Sequence, residues 1–259
     1  MDLGWFDVGL NVQDIARSLA FYQALGFAQV DGGVDIRAVT LQKADCRIGL
    51  YQGYGEDPFY LQFWQGDVDA IFRNLSAKGL RFDREPDRDE TGVAARLRDP
   101  DGHTLFFINM PTYYAGDPAY AHPAPAYRPD QPHYPPREPA AGDVEFGWFE
   151  PSLAVHDIGR SRAFYETLGF EVVDDSVERN MTLRNNDCRL SLYQGYLRPA
   201  RSQLIFWQGD VRSIAGHLAA KGLSFESGPA SDDKGTGAML IDPDGNPLYF
   251  VNIHGVTRT

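Results

Sequence analysis

Tryptophan, tyrosine and glutamine side chains recur at matched positions in the two halves of this sequence, and their chemistry suits the binding of a small molecule. Within a β-strand, side chains alternate between the two faces, and this alternation places the recurring residues on one face of each half. A concave face lined with rings and a few polar groups is the usual wall of a small-molecule pocket. The alternative is that the rings fill the concavity and leave no cavity. These candidates are Trp5, Tyr51, Tyr60, Gln62 and Trp64 in the first half and Trp148, Tyr193, Gln203, Trp207 and Tyr249 in the second.

Signals of nucleophilic or phosphate chemistry are weak. Ser191 has no His–Asp relay near it in the sequence, which makes it a poor candidate for a nucleophile. Cys46 and Cys188 are the two cysteines, too few for a disulfide scaffold or a cysteine-rich zinc site, and we expect both to be buried. No glycine-rich loop precedes a predicted helix in the way that phosphate binding requires.

The composition predicts a folded protein and argues against two classes of partner. The 259 residues carry a net charge of −12, and 43% of them are hydrophobic, which is enough for packed cores. A protein with this much negative charge repels other anions, so nucleic acids and anionic membrane surfaces are disfavoured as partners. No apolar run approaches the roughly 20 residues that span a bilayer, and no signal peptide is visible. We therefore expect a cytoplasmic location.

An internal repeat divides the chain. Motifs recur at an offset of 143 residues, which indicates two copies of a domain of about 110 residues. We predict a first domain over 1–112 and a second over 144–259, joined by a proline- and tyrosine-rich linker over 113–143 in which regular structure is disfavoured. The clearest repeats are Phe63-Trp64-Gln65-Gly66-Asp67-Val68 with Phe206-Trp207-Gln208-Gly209-Asp210-Val211, and Asp99-Pro100-Asp101-Gly102 with Asp242-Pro243-Asp244-Gly245.

Each copy reads as strand, helix and three strands, followed by the same series again. Asp14 and Asp67 are good N-caps for two helices whose apolar residues follow helical spacing. The Asp-Pro-Asp-Gly segment at 99–102 predicts a hairpin turn before the last strand. A sixth strand is expected near residues 80–83. The chain is therefore predicted to contain four βαβββ modules.

These features resemble the vicinal-oxygen-chelate superfamily, which includes glyoxalase I, extradiol dioxygenases and the fosfomycin- and bleomycin-resistance proteins. The resemblance rests on the Val12-Gln13-Asp14, Phe21-Tyr22 and Leu25-Gly26-Phe27 segments, on the Ala77-Lys78-Gly79 helix end and on the Asp-Pro-Asp-Gly hairpin. It covers both copies and leaves out the linker. It implies an α+β fold of two tandem glyoxalase-like domains, each with two βαβββ modules forming a cup-shaped mixed sheet.

The resemblance also implies where a metal would be held. Metal-dependent members take four ligands, usually His, Glu or Gln, from the first, fourth, fifth and eighth strands of the cup. No histidine lies at any mapped position, and each copy keeps one carboxylate, so we expect no metal; the alternative is a divalent ion on Asp7, Glu150 and Gln203. The mapped positions are Asp7, Gly49, Tyr60 and Phe106 in the first copy and Glu150, Ser191, Gln203 and Tyr249 in the second.

Glyoxalase-like dimers combine ligand positions from two domains. If the copies pair in that way, Asp7 and Gly49 join Gln203 and Tyr249 in one composite site. The other site then joins Glu150 and Ser191 with Tyr60 and Phe106.

Arg47 and Arg189 lie two residues before the mapped fourth-strand positions, on the same face as the carboxylates. We predict Asp7–Arg47 and Glu150–Arg189 pairs, because an uncompensated carboxylate in a low-dielectric cup is costly. A functional version is that the arginines bind an anionic group of a ligand. The other version is a buried ion pair that satisfies only itself.

These observations predict a metal-free protein of the bleomycin-resistance type that binds an aromatic or amphipathic small molecule. A metal-dependent lyase, isomerase or dioxygenase with atypical ligands is one alternative, and a non-catalytic partner-binding module is another. Duplication within one chain already supplies an intramolecular pseudo-dimer, and further homodimerisation stays open.

Overall fold

A computed structural model describes residues 1–55, 57–110, 142–195 and 202–258, and it contains two mixed sheets of eight strands each. The α+β fold of two tandem glyoxalase-like domains is confirmed. The first domain consists of β1 (Gly4–Asn11), α1 (Ile15–Ala24), β2 (Ala28–Gly33), β3 (Ala38–Lys43), β4 (Cys46–Tyr51), β5 (Phe59–Gln65), α2 (Val68–Ala77), β6 (Asp87–Arg88), β7 (Val93–Arg98) and β8 (Thr104–Asn109).

The second domain repeats this series element for element. Its members are β9 (Gly147–Val155), α3 (Ile158–Thr167), β10 (Glu171–Asp174), β11 (Asn180–Asn185), β12 (Cys188–Gln194), β13 (Ser202–Gln208), α4 (Val211–Ala220), β14 (Ser227–Ser231), β15 (Gly235–Ile241) and β16 (Pro247–Ile253). The predicted linker 113–143 lies outside the described residues except for Gly142 and Asp143. The domain limits at 112 and 144 stay predictions.

The two modules of a domain join through their first strands. The strand order is β2-β3-β4-β1-β5-β8-β7-β6, with β1 antiparallel to β5, and the second sheet has the equivalent order. Each open sheet is therefore built from consecutive modules of one domain. Trp5 and Trp64 are register partners across the β1–β5 pair, so both side chains lie on the same face of the sheet.

Local sequence signals set the helix ends. Asp14 accepts hydrogen bonds from the backbone N–H groups of Ala16 and Arg17, and Asp67 accepts one from Ala70, so both predicted N-caps are confirmed.

The prediction of a sixth strand near residues 80–83 is wrong. The sixth strand lies at Asp87–Arg88, and residue Phe82 contributes only an isolated bridge to Leu97.

One face of each sheet packs on its helices, and the two helical faces meet in a continuous hydrophobic core that contains residues of both domains. Phe63 packs edge-on against Phe170 of the second domain, with 6.3 Å between ring centroids. The opposite face of the first sheet carries a small separate cluster of Trp5, Trp64 and Ile108. Within the described residues, no helix has the length and apolar character needed to cross a membrane.

Candidate functional site

The concave face of the first sheet holds a cavity of about 470 Å³. Five predicted site residues line it: Tyr51, Tyr60, Gln62, Trp64 and Phe106. Tyr51 ends β4, Tyr60, Gln62 and Trp64 alternate along β5, and Phe106 is the β8 register partner of Gln62. The pairing of neighbouring strands thus brings together side chains that are distant in sequence.

Further lining residues were not anticipated. Tyr54 adds a fifth ring and packs against Tyr51 with 5.8 Å between centroids. Charged residues of the segment between α2 and β7 form part of the rim, among them Glu85 and Asp89. Tyr54 could have been found from the sequence, because Leu50-Tyr51-Gln52-Gly53-Tyr54 recurs as Leu192-Tyr193-Gln194-Gly195-Tyr196. The charged rim could not be found from the sequence, because no pattern in the sequence indicates the path of the segment between α2 and β7.

Asp7 lies next to the cavity wall without bordering the cavity. It is 2% exposed, and one carboxylate oxygen accepts a hydrogen bond of 3.1 Å from the indole N–H of Trp64. Burial raises the pKa of Asp7 to about 6, although the positive charge of Arg47 and the Trp64 hydrogen bond both act to lower it. Arg47 therefore acts on Asp7 through its charge, and the indole of Trp64 supplies a hydrogen bond to the carboxylate.

Glu150 occupies the equivalent place in the second cup and has a fuller set of partners. Its Oε1 accepts from Arg189 Nε at 2.9 Å and from Trp148 Nε1 at 3.0 Å, and its Oε2 accepts from the Ser191 hydroxyl at 2.8 Å. The predicted Glu150–Arg189 ion pair is confirmed. Both charged side chains are at most 10% exposed, so the guanidinium neutralises the carboxylate inside the cup.

The rings of the second cup are arranged differently. Trp148 and Trp207 stack with 6.4 Å between centroids and 15° between planes. Burial, followed by the negative charge of Glu150, raises the pKa of Tyr193 far above its usual value, so its phenol stays protonated. Gln203 and Tyr249 are half-buried on β13 and β16.

Comparisons with known proteins agree with this architecture. Residues 4–107 match the family model "Glyoxalase/Bleomycin resistance protein/Dioxygenase superfamily", and residues 148–182 match "Bleomycin resistance protein-like N-terminal". The chain belongs to the glyoxalase/bleomycin-resistance/dioxygenase superfamily. A search of curated proteins found no match.

Solved structures of this superfamily share the tandem fold at low sequence identity. The 2,3-dioxygenase LapB from Pseudomonas sp. KL28 is 17% identical, with a TM-score of 0.58 over 96% of this chain and 91% of that one. A Mn(II)-bound glyoxalase from Novosphingobium aromaticivorans is 18% identical, with a TM-score of 0.60 over 96% and 80% of the two chains. Homoprotocatechuate 2,3-dioxygenase from Arthrobacter globiformis is 19% identical, with a TM-score of 0.61 over 96% and 78%.

The side chains at the mapped ligand positions fit a divalent cation poorly. In the first cup they are one carboxylate, a glycine, a phenol and a phenyl ring. In the second cup the oxygens of Glu150 already accept from a guanidinium, an indole and a hydroxyl. A neighbouring guanidinium repels a metal ion, and a phenyl ring offers no donor atom. No group of three or more His, Cys, Asp or Glu residues in the described ranges could hold a metal ion.

The two copies do not exchange modules, so the composite sites that such an exchange would create do not form. Gln203 lies on β13, which pairs with β9 of its own domain, and Tyr60 lies on β5, which pairs with β1. Asp7 therefore shares its sheet with Tyr60 and Phe106, and Glu150 shares its sheet with Gln203 and Tyr249. Module exchange leaves no local sequence signal, because both pairings present the same strand edges.

Proposed function

We propose that this protein binds a small aromatic or amphipathic molecule in the cup of its first domain, without a metal ion. The observation that carries the proposal is the cavity of about 470 Å³ lined by Tyr51, Tyr54, Tyr60, Trp64 and Phe106. Ligand pockets of small molecules commonly enclose about 300–1,000 Å³ and combine apolar walls with a few polar groups. Gln62 supplies such a group in the middle of the aromatic wall.

The second cup, in this proposal, has a structural role. Its carboxylate is neutralised by Arg189 and also accepts a hydrogen bond from Ser191, so the charge inside that cup is already compensated. The two tryptophans stack on each other there. Ligand binding by the first cup needs neither a nucleic acid nor a membrane as partner, and we place the protein in the cytoplasm.

Binding is tested by calorimetric titration with 2-naphthylmethanol, a neutral aromatic probe that fits the proposed chemistry. We expect saturable binding with one site per chain, and a loss of at least tenfold in affinity in Phe106→Ala. The equivalent residue of the other cup is Tyr249, so Tyr249→Ala is the matched variant. The proposal is wrong if neither this probe nor its amine analogue 2-naphthylmethylamine binds, or if only Tyr249→Ala weakens binding.

The metal-free part of the proposal has its own test. Protein purified without chelators is analysed for Mn, Fe, Co, Ni, Cu and Zn, and we expect less than one-tenth of an equivalent of each. A stoichiometric ion that Asp7→Ala or Glu150→Ala removes would establish the metal-dependent alternative instead.

A further inference from the structure

The rim of the first cup is predominantly acidic. Its charged lining residues comprise four carboxylates and two guanidinium groups. Both guanidinium groups already have carboxylate partners, because Arg84 contacts Asp87 at 2.6 Å and Arg96 contacts Asp83 at 2.6 Å. Hydrogen bonds from Thr91 and the Gly92 amide lower the pKa of Asp89, which keeps that carboxylate ionised. The lining carboxylates are Asp31, Glu85, Asp87 and Asp89.

The walls of the cavity add a second attraction for positive charge. The face of an aromatic ring carries a negative quadrupole that attracts an ammonium group, and tryptophan does so most strongly. The indole N–H of Trp64 donates to the buried carboxylate of Asp7, which polarises the indole and increases the electron density of its ring. Tyr60 and Phe106 stand side by side in the same wall, 6.4 Å apart between centroids.

An amide in this wall has an unmet hydrogen bond. Gln62 is 5% exposed and borders the cavity, and within the described residues its side-chain oxygen has no hydrogen-bond partner. A buried acceptor without a donor costs free energy that a ligand N–H can recover. The arginines that were candidates for binding an anion do not border the cavity, and Arg189 is engaged with Glu150.

We infer that the first cup selects organic cations, specifically a protonated amine carried on an aromatic body, over neutral and anionic molecules of the same shape. The ammonium group contacts the rings of Trp64 and its neighbours and donates to Gln62, while the rim carboxylates attract it over a longer range. The inference rests on the proposed function, since it assumes that the aromatic cavity is the binding site.

Three probes of matched shape test the selectivity. They are 2-naphthylmethylamine, which is protonated at pH 7, neutral 2-naphthylmethanol and anionic 2-naphthoate, titrated by calorimetry at low and at high salt. We expect the amine to bind at least tenfold more tightly than the alcohol and the carboxylate to bind weakest, with the difference shrinking at high salt. Equal binding of amine and alcohol overturns the inference and leaves the proposed function standing, whereas absence of binding by all three overturns both.

Two matched variants distinguish the effect of the rim charge on binding from an effect of the substitution on folding. Asp89→Asn keeps an oxygen for the turn N–H groups of Thr91 and Gly92 and removes one charge, so we expect amine affinity to fall about two- to fivefold and alcohol affinity to stay constant. Asp232 forms the same turn in the second domain, with Lys234 and Gly235, so Asp232→Asn is the matched control. Equal losses in both variants, or no loss in either, contradict a role for this rim charge.

Gln62→Leu tests the contribution of the amide. We expect it to lower the affinity for 2-naphthylmethylamine more than the affinity for 2-naphthoate.

Discussion

At the scale of single residues, two buried carboxylates occupy equivalent places and have opposite surroundings. Asp7 receives one indole hydrogen bond, and its pKa is raised to about 6 because burial outweighs the charge of Arg47. Glu150 receives three hydrogen bonds, one of them from a guanidinium. Removing the negative charge should therefore raise the free energy of unfolding when it is done at Asp7 and lower it when it is done at Glu150.

Asp7→Asn should stabilise the protein at neutral pH. The unfolded chain loses the Asp7 proton near the ordinary pKa of 3.8, whereas the folded chain keeps it to about 6, so ionisation costs stability as the pH rises between these values. The cost at pH 7 is at most about 3 kcal/mol. We expect Asp7→Asn to raise the free energy of unfolding at pH 7 by about 1–3 kcal/mol and to have little effect near pH 4. Urea denaturation at both pH values measures this, and equal destabilisation at both contradicts it.

Glu150→Gln should have the opposite effect. The variant removes the negative charge of Glu150 from beside the guanidinium of Arg189, which is 10% exposed. Breaking one side of a buried ion pair costs about 3–5 kcal/mol, whereas replacing both partners with neutral residues costs less. We expect Glu150→Gln to lower the free energy of unfolding by that amount and Glu150→Gln with Arg189→Met to recover part of it. Additive losses in the double variant would falsify the pairing argument.

At the scale of elements, the two Asp-Pro-Asp-Gly hairpins join the domains reciprocally. The Tyr22 hydroxyl of α1 donates to Asp242 of the second hairpin at 2.9 Å, and the Tyr165 hydroxyl of α3 donates to Asp99 of the first at 3.0 Å. Ser18 and Ser161 repeat the pattern with Asp244 and Asp101. Each hairpin therefore joins two adjacent strands of its own sheet and binds the first helix of the other domain.

Tyr165→Phe tests the hairpin contact. It removes one donor from a buried carboxylate that keeps the His103 ring and backbone N–H groups as partners, so we expect a loss of about 1–2 kcal/mol in unfolding free energy. Tyr22→Phe makes the equivalent change at Asp242, which keeps the Asn246 amide. Unfolding in urea measures both, and a cost near zero for both would show that the hydroxyls contribute nothing to domain association.

Local features of the fold could be predicted from the sequence, and long-range features could not. Asp14, Asp67 and the Asp-Pro-Asp-Gly turns act on their nearest neighbours, so residue type is enough to place them. The partner of each hairpin and the pairing of modules depend on contacts between residues far apart in the sequence, with a separation of 220 residues for Tyr22 and Asp242 and 66 for Tyr165 and Asp99. Alternation along β5 places Tyr60, Gln62 and Trp64 on one face, where the structure has them beside the cavity, whereas the acidic rim comes mostly from an irregular segment with no periodic signal.

At the scale of the whole molecule, the continuous core makes the two domains one cooperative unit. Residues of both domains form a single hydrophobic cluster, and Lys43 of the first domain pairs with Asp143 and lies 4.4 Å from the ring centroid of Phe146. Unfolding one domain would expose apolar surface of the other at about 25 cal/mol for each Å². We therefore expect no state in which one domain is folded and the other unfolded.

The two cysteines report on this cooperativity, because Cys46 and Cys188 are buried at equivalent strand starts, one in each domain. In Cys46→Ser only the second domain carries a thiol, and in Cys188→Ser only the first does. We expect each remaining thiol to become reactive toward a disulfide reagent at the same urea concentration at which the far-ultraviolet circular dichroism of that variant changes. Phe63→Ala removes the ring that contacts Phe170, and we expect it to lower the free energy of unfolding by about 3–5 kcal/mol. Both thiols should then become reactive at the same, lower urea concentration. A shift confined to the Cys46 transition would mean that the domains unfold independently and that the shared core does not couple them.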